Sequence, residues 1–326
     1  MPTPADLAEL VRAPAALSVP GDVLAGAAAA GTLGAGTPAL AGASVLLYWA
    51  GMAANDWADR DLDAVERPDR PIPSGRVTPG TALGLAVGLT AAGVALATAA
   101  GGRRAAAVAV PLAAAVWGYD LAAKNTAAGP AVMAVCRGLD VLLGASGGRV
   151  GRAVPAALTV AAHTWTVTAL SRREVDGADQ RLPVRTLAGT AVVAASAVLG
   201  TKRPTAGRAA GPTAGRAADR GPLDAAGRRG TPDTLRTALR GTPDTLRAAL
   251  PAALTAWYAA RYGAAQARVY ADPSAGQVRA AVGAGITGLP ALQGALTARA
   301  GAGLLGVAVA AAAPLARRLA RKVSPT

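Results

Sequence analysis

The sequence predicts an all-α, polytopic membrane protein, and three observations carry that expectation. Apolar residues make up 52% of the 326 positions while charged residues make up 16%. Runs such as 81–100, 105–117 and 301–315 carry few or no charges, and about 20 apolar residues suffice to cross a hydrocarbon core roughly 30 Å thick. Basic residues collect between the runs, where they set topology. The alternative is an alanine-rich soluble helical protein, since alanine is only weakly apolar.

Ten apolar segments can be marked, near 14–32, 37–57, 79–100, 104–122, 130–148, 154–171, 184–200, 249–270, 277–297 and 301–319. The weakest are 184–200 and 249–270; the latter carries Arg261 and Arg268 and is expected to lie partly in the interface. Arg60, Arg67, Arg70 and Arg76 follow the second segment, Lys124 the fourth, and Arg172, Arg173, Arg181 and Arg185 the sixth. Arg317, Arg318, Arg321 and Lys322 follow the last. If all ten segments span, these exits share one side, the cytoplasm by the positive-inside rule, with both termini inside. Arg103, Arg104, Arg149 and Arg152 oppose that assignment. No basic region with an apolar core and cleavage site opens the chain, so the first span is expected to act as the membrane signal.

Residues 201–248 break the pattern. T-A-G-R-A-A occurs twice, at 205–210 and 213–218, and R-G-T-P-D-T-L-R twice, at 229–236 and 240–247. With ten basic and four acidic residues among many Gly and Pro, this stretch reads as a low-complexity, disordered insert. It separates helices within 1–200 from C-terminal helices within 249–326. The net charge of +14 lies largely there and at helix ends. No aromatic–basic interleaving accompanies it, which argues against nucleic acid as a partner. Cys136 is the only cysteine, so disulfides and cysteine metal sites within one chain are excluded.

The chemistry-bearing stretch is N-D-W-A-D-R-D-L-D at 55–63, at the end of an apolar helix. Asn55, Asp56, Asp59 and Asp63 fall within an arc of roughly 100° on a helix, whereas Asp61 lies on another face. Three carboxylates and an amide on one ridge at a membrane helix end are costly unless they hold cations or partners. Oxygen ligands of this kind suit Mg²⁺, which in turn holds phosphate oxygens. A loop E-R-P-D-R-P-I-P-S-G-R follows at 66–76; its three prolines forbid a regular helix, and its arginines can neutralise phosphate beside the acids.

Together, N-D-x-x-D-x-x-x-D and R-P-x-R-P-x-x-S-G resemble the signature of the UbiA superfamily of intramembrane prenyltransferases. Tyr119 through Lys124, followed by Gly129, is similar to the family's Y-x-x-x-x-K element. The resemblance implies about nine helices around a central cavity open to the cytoplasmic side of an integral, bacterial cell membrane protein. It implies transfer of a prenyl group from a polyprenyl diphosphate donor to a lipophilic, possibly aromatic, acceptor with Mg²⁺. It assigns metal binding to Asn55, Asp56, Asp59 and Asp63, catalysis to Asp56, Asp59, Asp63 and Lys124, and substrate contacts to Asn55, Arg67, Arg70, Ser74 and Tyr119. The family's second acidic loop corresponds to S-R-R-E-V-D-G-A-D at 171–179, where the acids do not keep the D-x-x-x-D spacing. Glu174, Asp176 and Asp179 are the candidates there for a second cation, with Arg172 and Arg173 as substrate contacts. The S-R-x-E-V form looks like a divergent, EboC-like branch. A non-catalytic lipid carrier or a structural membrane subunit that keeps the fold is the alternative.

Four further polar positions lie inside spans. Asp22 is expected to face the cavity or an interface. Arg137 and Asp140, three apart, suggest an ion pair on one helix face. His163, the single histidine, suggests an interhelical hydrogen bond. Trp165, Trp257, Tyr258 and Tyr262 fit interfacial or packing roles.

Overall fold

A computed structural model describes residues 2–13, 18–199 and 244–312. The duplicated segment therefore lies outside the described residues except for its last five positions, which already belong to a helix. The described residues form helices and no strand. In chain order these are α1 (Pro4–Leu10), α2 (Pro20–Ala30), α3 (Thr37–Ala58), α4 (Arg60–Glu66), α5 (Pro79–Gly118) and α6 (Gly129–Gly144). They continue as α7 (Val154–Ser171), α8 (Arg181–Leu199), α9 (Asp244–Ala271), α10 (Ala275–Arg299) and α11 (Gly303–Ala312).

Local chemistry explains many of the boundaries. Proline occupies the first turn of α1, α2, α3, α5, α6 and α7, where its missing N–H costs no hydrogen bond. The Thr78 hydroxyl accepts the Thr81 N–H and caps α5. The two predicted segments 79–100 and 104–122 form one element that bends at Gly102 (φ 64°, ψ −156°), a backbone state that a side chain disfavours. A π-helical turn, Tyr119–Ala123, extends α5 towards Lys124.

The helices form a closed ring in which α2 packs on α3, α3 on α5, α5 on α6, α6 on α7, α7 on α8, α8 on α9, α9 on α10, and α10 back on α2. The α2–α6 contact needs glycine on both sides. A Cβ on Gly26 would collide with the Val141 carbonyl oxygen, and one on Gly144 with that of Val23. Small residues thus let backbones touch where lipid supplies little hydrophobic drive.

Three helical stretches among the described residues are long and apolar enough to cross a membrane: Thr37–Ala58, Pro79–Ala123 and Arg181–Leu199. This is fewer than the ten predicted segments: two of them merge in α5, and α2 with 11 residues and α6 with 16 are shorter than a crossing of about 20 residues needs. The segment at 184–200, among the weakest in the sequence, is one of the three. α9 is not simply interfacial: it sends Tyr258, Tyr262 and Gln266 into the core, all fully buried. On its other side Arg261 stacks over Trp257, whose ring is partly exposed.

Buried polar side chains stitch the ring. His163 Nδ1 and the Tyr258 hydroxyl lie 2.8 Å apart, so the interhelical bond expected of His163 is present. The Thr166 and Tyr262 hydroxyls lie 3.1 Å apart. The expected Arg137–Asp140 pair is not formed. Arg137 reaches Asp22 at 2.8 Å, and Asp140 accepts the Ser44 hydroxyl at 2.6 Å. Asp22 is fully buried and does not line the cavity described below; Gln293 also donates to it, at 2.7 Å. A cross-helix partner wins because each carboxylate is otherwise surrounded by apolar surface.

Candidate active site

The acid ridge survives a break in the helix. α3 ends at Ala58, and Asp59 (φ −90°, ψ 3°) joins it to α4. The Asp59 N–H still donates to Asn55 O at 2.9 Å, and the Asp63 N–H to Asp59 O at 2.8 Å. Helical register therefore runs through the joint, keeping Asn55, Asp56, Asp59 and Asp63 on one side. The Asp61 side chain is 88% exposed, as its different face requires.

Asp56 and Asp63 are buried, with 4% and 2% of their surface exposed. Arg70 bridges them: its Nη1 lies 2.6 Å from Asp63 Oδ2 and 3.2 Å from Asp56 Oδ1. Arg67 adds a looser pair to Asp63 at 3.8 Å. Lys124 comes from the far side, with Nζ 2.7 Å from Asp59 Oδ1 and 3.3 Å from Asn55 Oδ1. Arg12 closes the cluster from the N-terminal segment, with Nη2 2.8 Å from Asp56 Oδ1. Its backbone is left-handed (φ 48°), a state that a non-glycine residue holds only when its surroundings compel it. Nothing in the local sequence around Arg12 announced this role; the contact is 44 residues away in the chain.

The proline-rich loop is a scaffold for Arg70. The Val77 N–H donates to Pro71 O, and Ile72 and Val77 are buried against Leu10, Ala53 and Ala54. Ser74 is exposed and donates to Arg70 O at 2.7 Å, so its hydroxyl is used inside the loop. Arg76 turns away from the acids and ties the loop to α1 through Asp6 at 2.8 Å and Glu9 at 2.7 Å. Hydrogen bonds from Thr3, and then from Arg76, pull the Asp6 carboxyl down to about 2; Glu9 and Asp6 push Arg76 up.

Beneath the ridge lies a chamber of about 90 Å³ between α3, α5 with its π-helical turn, and α6, with Val19 at the entry to α2 as a further wall. Gly51, Met52, Tyr119 and Asp120 line the end near the ridge; Ser44, Arg137 and Asp140 line the other; Leu47, Leu112 and Val116 supply apolar wall. Asp120 lies inside the Y-x-x-x-x-K element, whose pattern specifies only Tyr119 and Lys124. It is 4% exposed and forms no hydrogen bond or ion pair among the described residues.

The second predicted acidic group does not converge. The Glu174 carboxyl is partly buried, which raises its pKa, while its backbone carbonyl accepts from Arg279. Asp176 is exposed, and Asp179 accepts the Leu182 N–H at the start of α8. Arg172 holds the Lys124 loop, donating to Lys124 O at 3.0 Å and Thr126 O at 2.7 Å; Arg173 is exposed. Among the described residues no three His, Cys, Asp or Glu side chains stand close enough together to hold a metal ion. On the ridge, the acids are divided between Arg12 and Arg70 on one side and Lys124 on the other.

Fold and site together define an integral membrane helical bundle with an acid ridge, clamped by cations, over a largely apolar chamber. The model of the UbiA prenyltransferase family matches residues 18–201, and the chain belongs to that family. Digeranylgeranylglyceryl phosphate synthase of Methanothrix thermoacetophila is 55% identical over 58 residues, 18% of this chain and 22% of that protein. The synthase of Ignicoccus hospitalis is 40% identical over 93 residues, 28% of this chain and 31% of that protein. The bacteriochlorophyll synthase 33 kDa chain of Cereibacter sphaeroides is 56% identical over 46 residues, 11% of this chain and 15% of that one. The matched stretches thus span less than a third of these curated relatives. A solved UbiA homolog from Aeropyrum pernix K1 superimposes with TM-score 0.57 at 18% identity, covering 89% of this chain and 96% of that one. A chain described as digeranylgeranylglyceryl phosphate synthase in membranes gives 0.60 at 14% identity, covering 90% and 97%. These two likenesses show the fold.

Proposed function

We propose that this protein is a membrane prenyltransferase that moves a prenyl group from a polyprenyl diphosphate to a lipophilic acceptor with Mg²⁺, at a site facing the cytoplasm. The observation that carries this is the ridge itself: three carboxylates and an amide, two of the acids buried, held by four cationic side chains at the mouth of an apolar chamber. Family membership and the matches to named prenyltransferases support it.

The donor set suits Mg²⁺ by its chemistry, being hard oxygens only, and Arg12, Arg70 and Lys124 now supply the positive charge these oxygens require. Asn55, Asp56, Asp59 and Asp63 would hold the ion, which when bound supplies charge neutralisation at the donor's diphosphate. Arg67, Arg70, Arg12 and Lys124 would bind the diphosphate oxygens and stabilise charge that grows as the carbon–oxygen bond opens. Tyr119 offers a polarisable face to the allylic carbon as it becomes cationic. Apolar walls from Leu47, Leu112 and Val116 exclude water that would capture that carbon. Asp120, without a partner among the described residues, is free to accept a hydrogen bond from the acceptor. A 90 Å³ chamber is too small for an isoprenoid tail, which must leave between helices into lipid.

Mg²⁺-dependent release of diphosphate from labelled prenyl donors by the purified protein tests this. Release that depends on an added lipid acceptor is expected. No release with any donor length would leave a non-catalytic carrier or structural subunit as the role of the fold.

A further inference from the structure

The ends of α6, α7 and α8 enclose a second hollow, of about 460 Å³, that does not include the acid ridge. Four arginines, Arg172, Arg173, Arg181 and Arg185, line it, while Pro130 and Leu182 contribute apolar surface. One acid, Asp179, shares the wall, and its Oδ1 already accepts the Leu182 N–H at 2.8 Å. Arg172 is anchored to the Lys124 and Thr126 carbonyls. Arg173, Arg181 and Arg185 are exposed and make no ion pair or hydrogen bond among the described residues.

Four arginines line one hollow with a single acid, and a multiply charged anion would balance that excess of positive charge. Each presents a planar fork of donors that matches phosphate oxygens. The hollow lies at the same end of the bundle as Lys124, because Arg172 bridges directly to the Lys124 loop. A basic pocket between membrane helices at a bilayer face fits a phosphate headgroup, whose field attracts such residues from a distance.

We propose that this hollow binds a phosphate-bearing anion at the membrane face, with Arg173, Arg181 and Arg185 holding the phosphate oxygens and Arg172 linking the occupied site to the Lys124 loop. Glu174 and Asp176, predicted from the sequence as cation ligands on the same loop, do not line it. The site is separate from the ridge and stands whether or not prenyl transfer occurs.

The test uses the full chain in detergent and native mass spectrometry with added phosphatidic acid or phosphatidylcholine. A parallel arm follows thermal stability with inorganic phosphate. The variant is Arg181→Gln/Arg185→Gln, two exposed positions, with Arg185→Lys as a second variant that keeps charge but loses the fork. Wild type is expected to retain phosphatidic acid at least tenfold more tightly than phosphatidylcholine, with the preference lost in the double variant and reduced in Arg185→Lys. Stabilisation of wild type, but not of the double variant, by inorganic phosphate without a lipid preference would identify the source as free phosphate. Wild type and double variant behaving alike in both arms overturns the proposal.

Discussion

At the residue scale, the defining feature is the matching of buried carboxylates to cations drawn from distant parts of the chain. Asp22 is fully buried and meets Arg137 at 2.8 Å. Removing one partner of such a pair leaves the other charge uncompensated, which costs roughly 3–5 kcal/mol. Asp22→Leu should therefore lower resistance to unfolding in a denaturing-detergent titration by about that much, whereas Asp22→Asn, which keeps an acceptor for Gln293, should cost less. The Lys124–Asp59 pair at the ridge differs, because Lys124 is proposed to bind the donor's diphosphate. Lys124→Met should leave the protein folded yet reduce diphosphate release by at least about a hundredfold, a barrier increase of roughly 2.7 kcal/mol. A wild-type rate in this variant would remove Lys124 from the site. Arg12→Ala should weaken donor binding while leaving the helices intact, measured as a rise in the donor concentration for half-maximal release.

At the element scale, function depends on how closely helices approach and how loops are tied down. Gly26 and Gly144 let α2 and α6 touch backbone to backbone. Gly26→Leu places a side chain where Val141 O already sits, so α2 must move off α6. Overpacking of this kind typically costs about 1–3 kcal/mol, and the chamber between α3, α5 and α6 should lose shape with it. Thermal unfolding and acceptor affinity should both fall; unchanged values would show that α2 has other ways to settle. α1 acts as a strap on the Arg70 loop through Arg76. The folded-state pKa of Asp6, about 2, lies below its ordinary value of 3.8. A depressed carboxyl stabilises the folded form fully above its ordinary pKa and loses that contribution as pH falls through the folded value. The contribution of Asp6, through the Thr3 cap first and the Arg76 contact second, should therefore be full above pH 4 and be lost between about 4 and 2, seen as lower amide protection in Asp6–Leu10 relative to the intrinsic exchange rate at each pH. Protection that persists to pH 2 would mean that α1 is held without Asp6, by the Arg76–Glu9 contact and the burial of Leu10.

At the scale of the whole molecule, the helical class and the first motif were legible in the sequence, and the closure around them was not. The spacing of Asn55, Asp56, Asp59 and Asp63 placed them together because helical periodicity is local, and the structure carries that register through Asp59. Tyr119 and Lys124 were visible as a pattern, and the fold brings Lys124 to Asp59. Arg12 and the Asp22–Arg137 pair were hidden because ring closure decides them, and no local periodicity encodes which helix faces which. Periodicity favoured an Arg137–Asp140 pair on one face; tertiary packing gave each residue a partner on another helix. The segment at 184–200 read as one of the weakest, yet α8 is one of the three stretches long and apolar enough to cross. The proposed orientation makes a further claim for the molecule as a whole: the exposed loop residue Ser74 lies on the cytoplasmic side. With Cys136 buried, a Ser74→Cys variant should react with an impermeant thiol reagent in inside-out vesicles and not in right-side-out vesicles. The reverse pattern would invert the topology.

The most direct test of the central claim is equilibrium binding of a non-hydrolysable prenyl diphosphate analogue, with and without Mg²⁺, to wild type, Asp56→Asn and Asp63→Asn. Wild type should bind at least tenfold more tightly with Mg²⁺, and each variant should lose that gain while keeping its fold. Equal affinity with and without Mg²⁺ in wild type, or a Mg²⁺ gain undiminished in both variants, would contradict the assignment of the ridge as the diphosphate site.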